Sequence, residues 1–155
     1  MQSKFGIAFD ERDILPAGNY ALYSRHGNDI HLSGQLPKLG SRVLTTGTIG
    51  GDVSVKTGKW AAGICALRAL AILRHALGSL GSVERIVCIT VYMQCSQNFE
   101  RHSEIADGAS DVLNFVLQDR WPHARTSLGG LVLPRNAAVE LELTAIANSE
   151  ALRLV

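Results

Sequence analysis

The chain has only three cysteines, Cys65, Cys88 and Cys95, without CxxC spacing and without histidines at ligand distance from them. An odd, scattered set excludes a disulfide framework and a zinc finger and predicts reduced, structural thiols, with Cys88 and Cys95 as core or interface fillers. An excess of one charge is also missing. Fifteen Lys and Arg face fourteen Asp and Glu, a formal net charge of +1, so no strong global field draws the chain toward nucleic acid, anionic lipid or polyanions. Aromatic residues make up 6%, and no basic stripe interleaves with them, so no nucleic-acid partner is expected and a ribonuclease reading is the weakest. The most apolar stretch, residues 60–80, is broken by Arg68, Arg74 and His75, and the first ten residues carry no continuous apolar run. Neither a membrane span nor a secretory signal is expected, and a soluble, cytoplasmic protein is.

Sequence-readable chemistry is sparse as well. GxSxG, a P-loop, GxGxxG after a strand, HExxH and an EF-hand loop are all absent. The histidines at 26, 31, 75, 102 and 123 are scattered, so no metal and no cofactor are expected.

What is present is a chain of 155 residues, 46% hydrophobic and 19% charged, the profile of one compact domain with a core of its own. Residues 1–16 read as an N-terminal extension and residues 17–155 as the domain. Two β-like runs, 20–25 and 29–33, flank the connection His26-Gly27-Asn28 and predict a hairpin. Residues 37–51 read as a loop, and Asp52 or Ser54 can cap the helix that follows. That helix is predicted over 56–80, with Trp60, Ile64, Leu67 and Ala71 at core spacing and Gly78 or Gly81 at its end. A strand over 83–94 places Val87, Ile89, Val91 and Met93 on one face and Ile86, Cys88 and Tyr92 on the other. A second helix, 98–118, is amphipathic, with Ala109, Val112, Leu113, Val116 and Leu117 opposite Asp107, Asp111 and Asn114. Two strands, 124–133 and 138–147, close the order β-β-α-β-α-β-β. This is an α+β domain whose sheet has helices on one face and a second face to hide, which in a small domain points to an oligomer.

The last two strands carry the candidate chemistry. Period two puts Arg125 with Ser127, and Glu140 with Glu142, on shared faces, while Val139, Leu141, Leu143 and Ala145 point the other way. The acidic face must meet water, a counter-charge or another subunit, and Arg125 is the natural counter-charge. One reading is a cross-strand or interface ion pair of little net energy. The other is a guanidinium fork that binds a small carboxylate through two parallel hydrogen bonds while a nearby glutamate orients water.

The run Arg125-Thr126-Ser127, with Leu133-Pro134, Val139-Glu140-Leu141-Glu142 and Thr144-Ala145-Ile146-Ala147, resembles the C-terminal signature of the RidA/YjgF family. Tyr20, Gly27-Asn28, Ser33-Gly34-Gln35-Leu36-Pro37 and Asn98-Phe99 resemble it too, so the likeness spans about residues 18–147. It implies a chorismate-mutase-like (YjgF-like) single domain, two helices packed on one face of the sheet, and a homotrimer with ligand clefts between subunits. It also implies hydrolysis of enamine and imine acids, 2-aminoacrylate and its tautomer 2-iminopropionate, to a 2-keto acid and ammonia without metal or organic cofactor. Carried over by position, Arg125 holds the substrate carboxylate, Glu140 places or activates the attacking water, and Tyr20, Ser33 and Ser127 line the cleft, Tyr20 from the adjacent chain. Ser127 stands where the deaminases often have Cys, and Ser103 where they often have Asn. The alternative on the same cleft is a noncatalytic small-carboxylate metabolite-binding or regulatory protein, and a ribonuclease or translation inhibitor is the weakest reading.

Overall fold

Glycine and asparagine at 27 and 28 reverse the chain in two residues, with Gly27 at φ 58°, and so join β1 (Tyr23–His26) to β2 (Asp29–Gln35). The structure, a computed structural model, describes residue 9 and residues 11–148. Residues 1–8 and 10 of the expected extension, and 149–155 at the end of the expected domain, lie outside the described residues. The hairpin differs from its prediction at both ends. Tyr20 falls before β1, and β2 continues through a bulge between Leu32 and Gln35 that carries Ser33 and Gly34 out of register. The expected loop at 37–51 contains a small hairpin, β3 (Lys38–Leu39) and β4 (Arg42–Val43).

Helix α1 (Val55–Leu77) starts at Ser54, whose Oγ accepts the Thr57 N–H at 3.1 Å, and stops at Gly78 in the left-handed region at φ 74°. Both caps are among those the sequence offered. By length and composition α1 could cross a membrane, but 72% of its most apolar window is buried inside the protein, which marks it as a core helix. Helix α2 (His102–Leu117) begins four residues later than predicted. The helices cross where glycines remove side chains: a Cβ on Gly63 would sit 3.3 Å from the Gly108 carbonyl oxygen, and one on Gly108 would collide with the Lys59 carbonyl. Trp60, expected in the core, is 43% exposed, whereas Ile64 and Leu67 on the same spacing are buried. The helix is covered by the sheet on one side and α2 on another, and Trp60 lies in the remaining gap.

The main sheet has the order β1-β2-β7-β5-β6, with β5 spanning Val83–Met93, β6 Ala124–Leu128 and β7 Val139–Ala147. All neighbours are antiparallel except β5 and β6, which run parallel. Two corrections matter for the site. Strand β6 ends at Leu128 rather than continuing to 133, because Gly129 and Gly130 (φ 73°) turn the chain away. The last two strands, read as partners, are separated by β5. A bulge between Ile86 and Cys88 also shifts the expected alternation, so that Ile86 joins Ile89, Val91 and Met93 in the core and Val87 points outward. An extra residue in one strand reverses the parity of everything beyond it.

Candidate functional site

Cross-strand partners share a face of the sheet, which fixes where the charged residues go. Arg125 pairs with Ile89, which pairs with buried Leu143; Ser127 pairs with Val91, which pairs with buried Leu141. Arg125 and Ser127 therefore face the helices. At the sheet edge they meet the polar stripe of α2. Arg125 Nη1 donates to Asp107 Oδ1 at 2.8 Å and to Ser110 Oγ at 3.0 Å, and Nη2 reaches the Ser103 carbonyl at 3.5 Å. The counter-charge is thus Asp107, not the glutamates of β7 as read from the sequence. By the helical pattern Asp107 belongs to the water-facing stripe of α2, and its side chain is still 48% exposed against 23% for Arg125.

The guanidinium opens on a cavity of about 310 Å³ between α2 and the segment before β6. His123 supports that wall. Its Nδ1 lies 2.7 Å from the Trp121 carbonyl, which accepts only, so Nδ1 carries the proton and Nε2 accepts from Ser110 Oγ at 3.2 Å. Burial, with the Arg125 charge adding to it, holds the imidazole below its ordinary pKa. A neutral ring on the Ser110 hydroxyl leaves Arg125 as the cation of this cavity, opposite Asp107 and Asp111. Asp111 is itself taken by Lys59 at 2.9 Å.

Glu140 and Glu142 lie on the other face of the sheet, opposite Tyr92 and Thr90. The Tyr92 hydroxyl donates to Glu142 Oε2 at 2.7 Å. Glu140 is half-buried and pressed on the β2 bulge: a Cβ on Gly34 would overlap Glu140 Oε1 and lie 2.9 Å from its Cδ. The absence of a side chain at Gly34 leaves room for that carboxyl where it lies. Burial first, and the Glu142 charge second, push the Glu140 carboxyl above the usual glutamate range. Ser33 Oγ donates to the Ala21 carbonyl at 2.7 Å, so its hydroxyl ties down the segment carrying Tyr20. Tyr20 is half-exposed, and its hydroxyl accepts the Ala17 N–H at 3.3 Å.

A stability measurement checks the Glu140 environment. A carboxyl whose folded pKa exceeds its unfolded value binds more protons folded than unfolded, so it lowers stability as pH rises from the ordinary glutamate pKa through the folded one. Glu140→Gln removes that loss. Its melting temperature at pH 7 is expected to equal or exceed that of the wild type, with the advantage fading toward pH 4. A variant less stable at pH 7 than at pH 4, relative to wild type, would contradict the assignment.

Two groups of residues therefore emerge, Arg125 with Ser127 on one face and Glu140 with Gly34 on the other, while Tyr20 lines a small cavity with Gly34 and Arg68. Strand β5 lies between β6 and β7, so their backbones are about 10 Å apart at the usual strand spacing, with the side chains on opposite faces. One chain does not bring Arg125 and Glu140 onto one small ligand.

Two features escaped the sequence reading. Cys95 Sγ lies 3.6 Å from His102 Nε2 and accepts the Gly130 N–H at 3.2 Å, under a glycine at 129 whose Cβ would fall 2.5 Å from the sulfur. The signal was the bare Gly129-Gly130 pair. The second feature is Arg68, almost fully buried on α1. Among the described residues no group of three or more His, Cys, Asp or Glu could hold a metal ion.

A family model described as YjgF/chorismate mutase-like, putative endoribonuclease, matches residues 6–146. Protein TCP17 of Trypanosoma cruzi is 39% identical over 128 residues, 82% of this chain and 80% of that protein. Among solved structures, Atu1372 of Agrobacterium tumefaciens, a protein of unknown function, aligns with a TM-score of 0.82 at 33% identity over 86% of both chains. A protein of Shewanella oneidensis titled a putative endoribonuclease aligns with a TM-score of 0.85 at 30% identity, over 91% of this chain and 93% of that one.

Proposed function

The chain belongs to the YjgF/chorismate mutase-like family, and from that premise we propose that it hydrolyses small 2-imino acids of the 2-iminopropionate type to 2-keto acids and ammonia, in clefts between the subunits of a homotrimer. The observation that carries the reading is Glu140: a half-buried carboxyl, held above its ordinary pKa by burial and Glu142 against a glycine that leaves space beside it. A carboxyl so raised accepts a proton more readily than an ordinary glutamate, which suits a general base. Arg125 from a second copy supplies the charge that holds the substrate carboxylate. Its Nη2 has only a long contact with the Ser103 carbonyl, and its partner Asp107 is half-exposed and free to swing toward water as the ligand enters.

The chemistry asks little of the protein. A protonated imine carbon is already electrophilic. Glu140 takes a proton from water as the oxygen attacks that carbon, giving a carbinolamine, and passes it to the nitrogen; as the C–N bond breaks Glu140 takes the hydroxyl proton while the C=O bond forms, and ammonia leaves a 2-keto acid behind and picks up that proton as ammonium. Holding the carboxylate and aligning the water supply the rate, and no metal or organic cofactor enters the scheme. Ser127, two residues beyond Arg125 on the same face, and Tyr20, beside Gly34, line the two sides of the cleft.

The test is to generate 2-iminopropionate with an amino-acid oxidase and follow its disappearance. Purified protein is expected to accelerate the loss and the release of ammonia. The absence of acceleration across several imino acids sinks the proposal, and binding of a 2-keto acid without turnover would favour the noncatalytic carboxylate binder.

A further inference from the structure

Arg68 is 1% exposed, in the middle of α1 among the buried residues Ile64, Cys65, Leu67, Ala69 and Ile72. A charge so placed requires compensation, because desolvating an ion costs several kcal/mol unless partners replace the water. Compensation here is incomplete. Nη1 donates to the carbonyls of Asp13 and Lys38, and the ring of Phe9 lies 5.7 Å from the guanidinium carbon. Nε is buried with no acceptor. Among the described residues no carboxylate stands within ion-pair distance of Arg68 or of Lys38.

Positive charge accumulates around this point. Lys38 is near enough to feel both Arg68 and Arg135, while Asp13, whose Oδ1 accepts the Gly40 N–H at 2.7 Å, is the carboxylate whose field reaches Arg68. Among the described residues three cations, Arg68, Lys38 and Arg135, stand against one anion, Asp13. Beside them is a cavity of about 30 Å³ lined by Arg68, Lys38, Gln35, Gly34 and Tyr20, among others, room for one or two water-sized groups. Its lining also includes half-buried Leu22 and Leu36 and exposed Leu15, and beside the buried guanidinium an attraction between charges is screened less than in water.

We propose that this cavity is a binding position for one small oxyanion, the carboxylate group of a short organic acid or an inorganic oxyanion of similar size, held between Arg68 and Lys38. The position is separate from Arg125, which sits on the opposite edge strand, and it stands whether or not the chain turns over imino acids. The anion supplies the acceptor that the buried guanidinium lacks, and it ties α1 to the β2 bulge and the β3 hairpin. A bulky anion is excluded by volume.

Thermal unfolding of the full chain tests this, with formate, nitrate or pyruvate added at ionic strength held by a large sulfonate salt. A ligand bound only by the folded state raises its stability with the logarithm of its concentration, so wild type and Arg125→Ala are expected to gain about 3–6 °C per tenfold of formate above saturation. Lys38→Met and Arg68→Met are expected to gain less than about a third of that. Stabilisation by formate and nitrate alike supports an oxyanion of either source, whereas stabilisation by the organic acids alone assigns the position to a carboxylate. Equal gains in Lys38→Met and wild type, or no gain in wild type, overturn the proposal. If Arg68→Met does not fold, Lys38→Met alone decides. Loss of imine hydrolysis with the formate response intact would remove the catalytic reading and leave this one standing.

Discussion

Gly108→Ala is expected to lower the unfolding free energy by about 1–2 kcal/mol, although alanine is the better helix former. Alanine gains about 1 kcal/mol of intrinsic helix propensity over glycine, and that gain is outweighed at this crossing. The new Cβ would overlap the Lys59 carbonyl oxygen and lie 2.8 Å from its carbonyl carbon. Both are backbone atoms of α1, so no rotamer change relieves the clash, and the helices must move apart. Separation loosens the packing of Ala61, Ala62, Ile105 and Ala109, all fully buried, and overpacking of this kind costs about 1–3 kcal/mol and occasionally more. Gly63→Ala is the control. Its Cβ would stand 3.3 Å from the Gly108 carbonyl and 3.4 Å from Val112 Cγ2, distances that a few tenths of an ångström relieve, so propensity and crowding are expected to cancel within about 1 kcal/mol. Urea unfolding of both variants checks the pair. A Gly108→Ala protein as stable as wild type would mean that the helices do not meet at this glycine.

That crossing also marks where the sequence stopped being legible. The helices, the hairpin and the final strand follow from local rules: the Ser54 cap, the Gly78 stop, the Gly27-Asn28 turn and the apolar alternation of Val139, Leu141, Leu143 and Ala145. Strand order does not follow from local rules. Nothing in residues 124–147 says that β5 inserts between β6 and β7, and pairing the last two strands with each other made Arg125 and the glutamates partners. Face parity beyond a bulge is equally hidden, since the extra residue between Ile86 and Cys88 leaves no sequence mark of its own. Asp107 illustrates a third limit. On a helical wheel it belongs to the solvent stripe of α2, and only the placement of an edge strand alongside that stripe turns it into a counter-ion. Arg68 is the converse, an arginine that broke an apolar run and was read as a barrier to membrane insertion, when the fold buries it. Strand alternation marks Arg125, Ser127 and Glu140, and resemblance to a family adds Tyr20 and Ser33; the division of Arg125 and Glu140 between two faces of one sheet is visible only in the structure.

Because Arg125 and Glu140 lie on opposite faces, a shared site makes a quantitative demand on mixed oligomers. Arg125→Ala is expected to lower kcat/KM for 2-iminopropionate by about 10²–10³-fold, the loss of two charge-assisted hydrogen bonds to the substrate carboxylate. Its stability should fall by no more than about 1 kcal/mol, since the lost pair with half-exposed Asp107 is screened by water. Glu140→Gln is expected to lose about 10²-fold or more by removing the proton acceptor. Unfolded together in equal amounts and refolded, the two inactive chains should recover activity if each cleft takes Arg125 from one subunit and Glu140 from its neighbour. In a randomly mixed trimer about one cleft in four then carries both native side chains, so about a quarter of wild-type turnover returns. A site contained in one chain recovers nothing, because every copy bears one of the two substitutions. Recovery absent from a verified mixed trimer would therefore place the chemistry within a single subunit, and a stable monomer by sizing would remove the cleft itself.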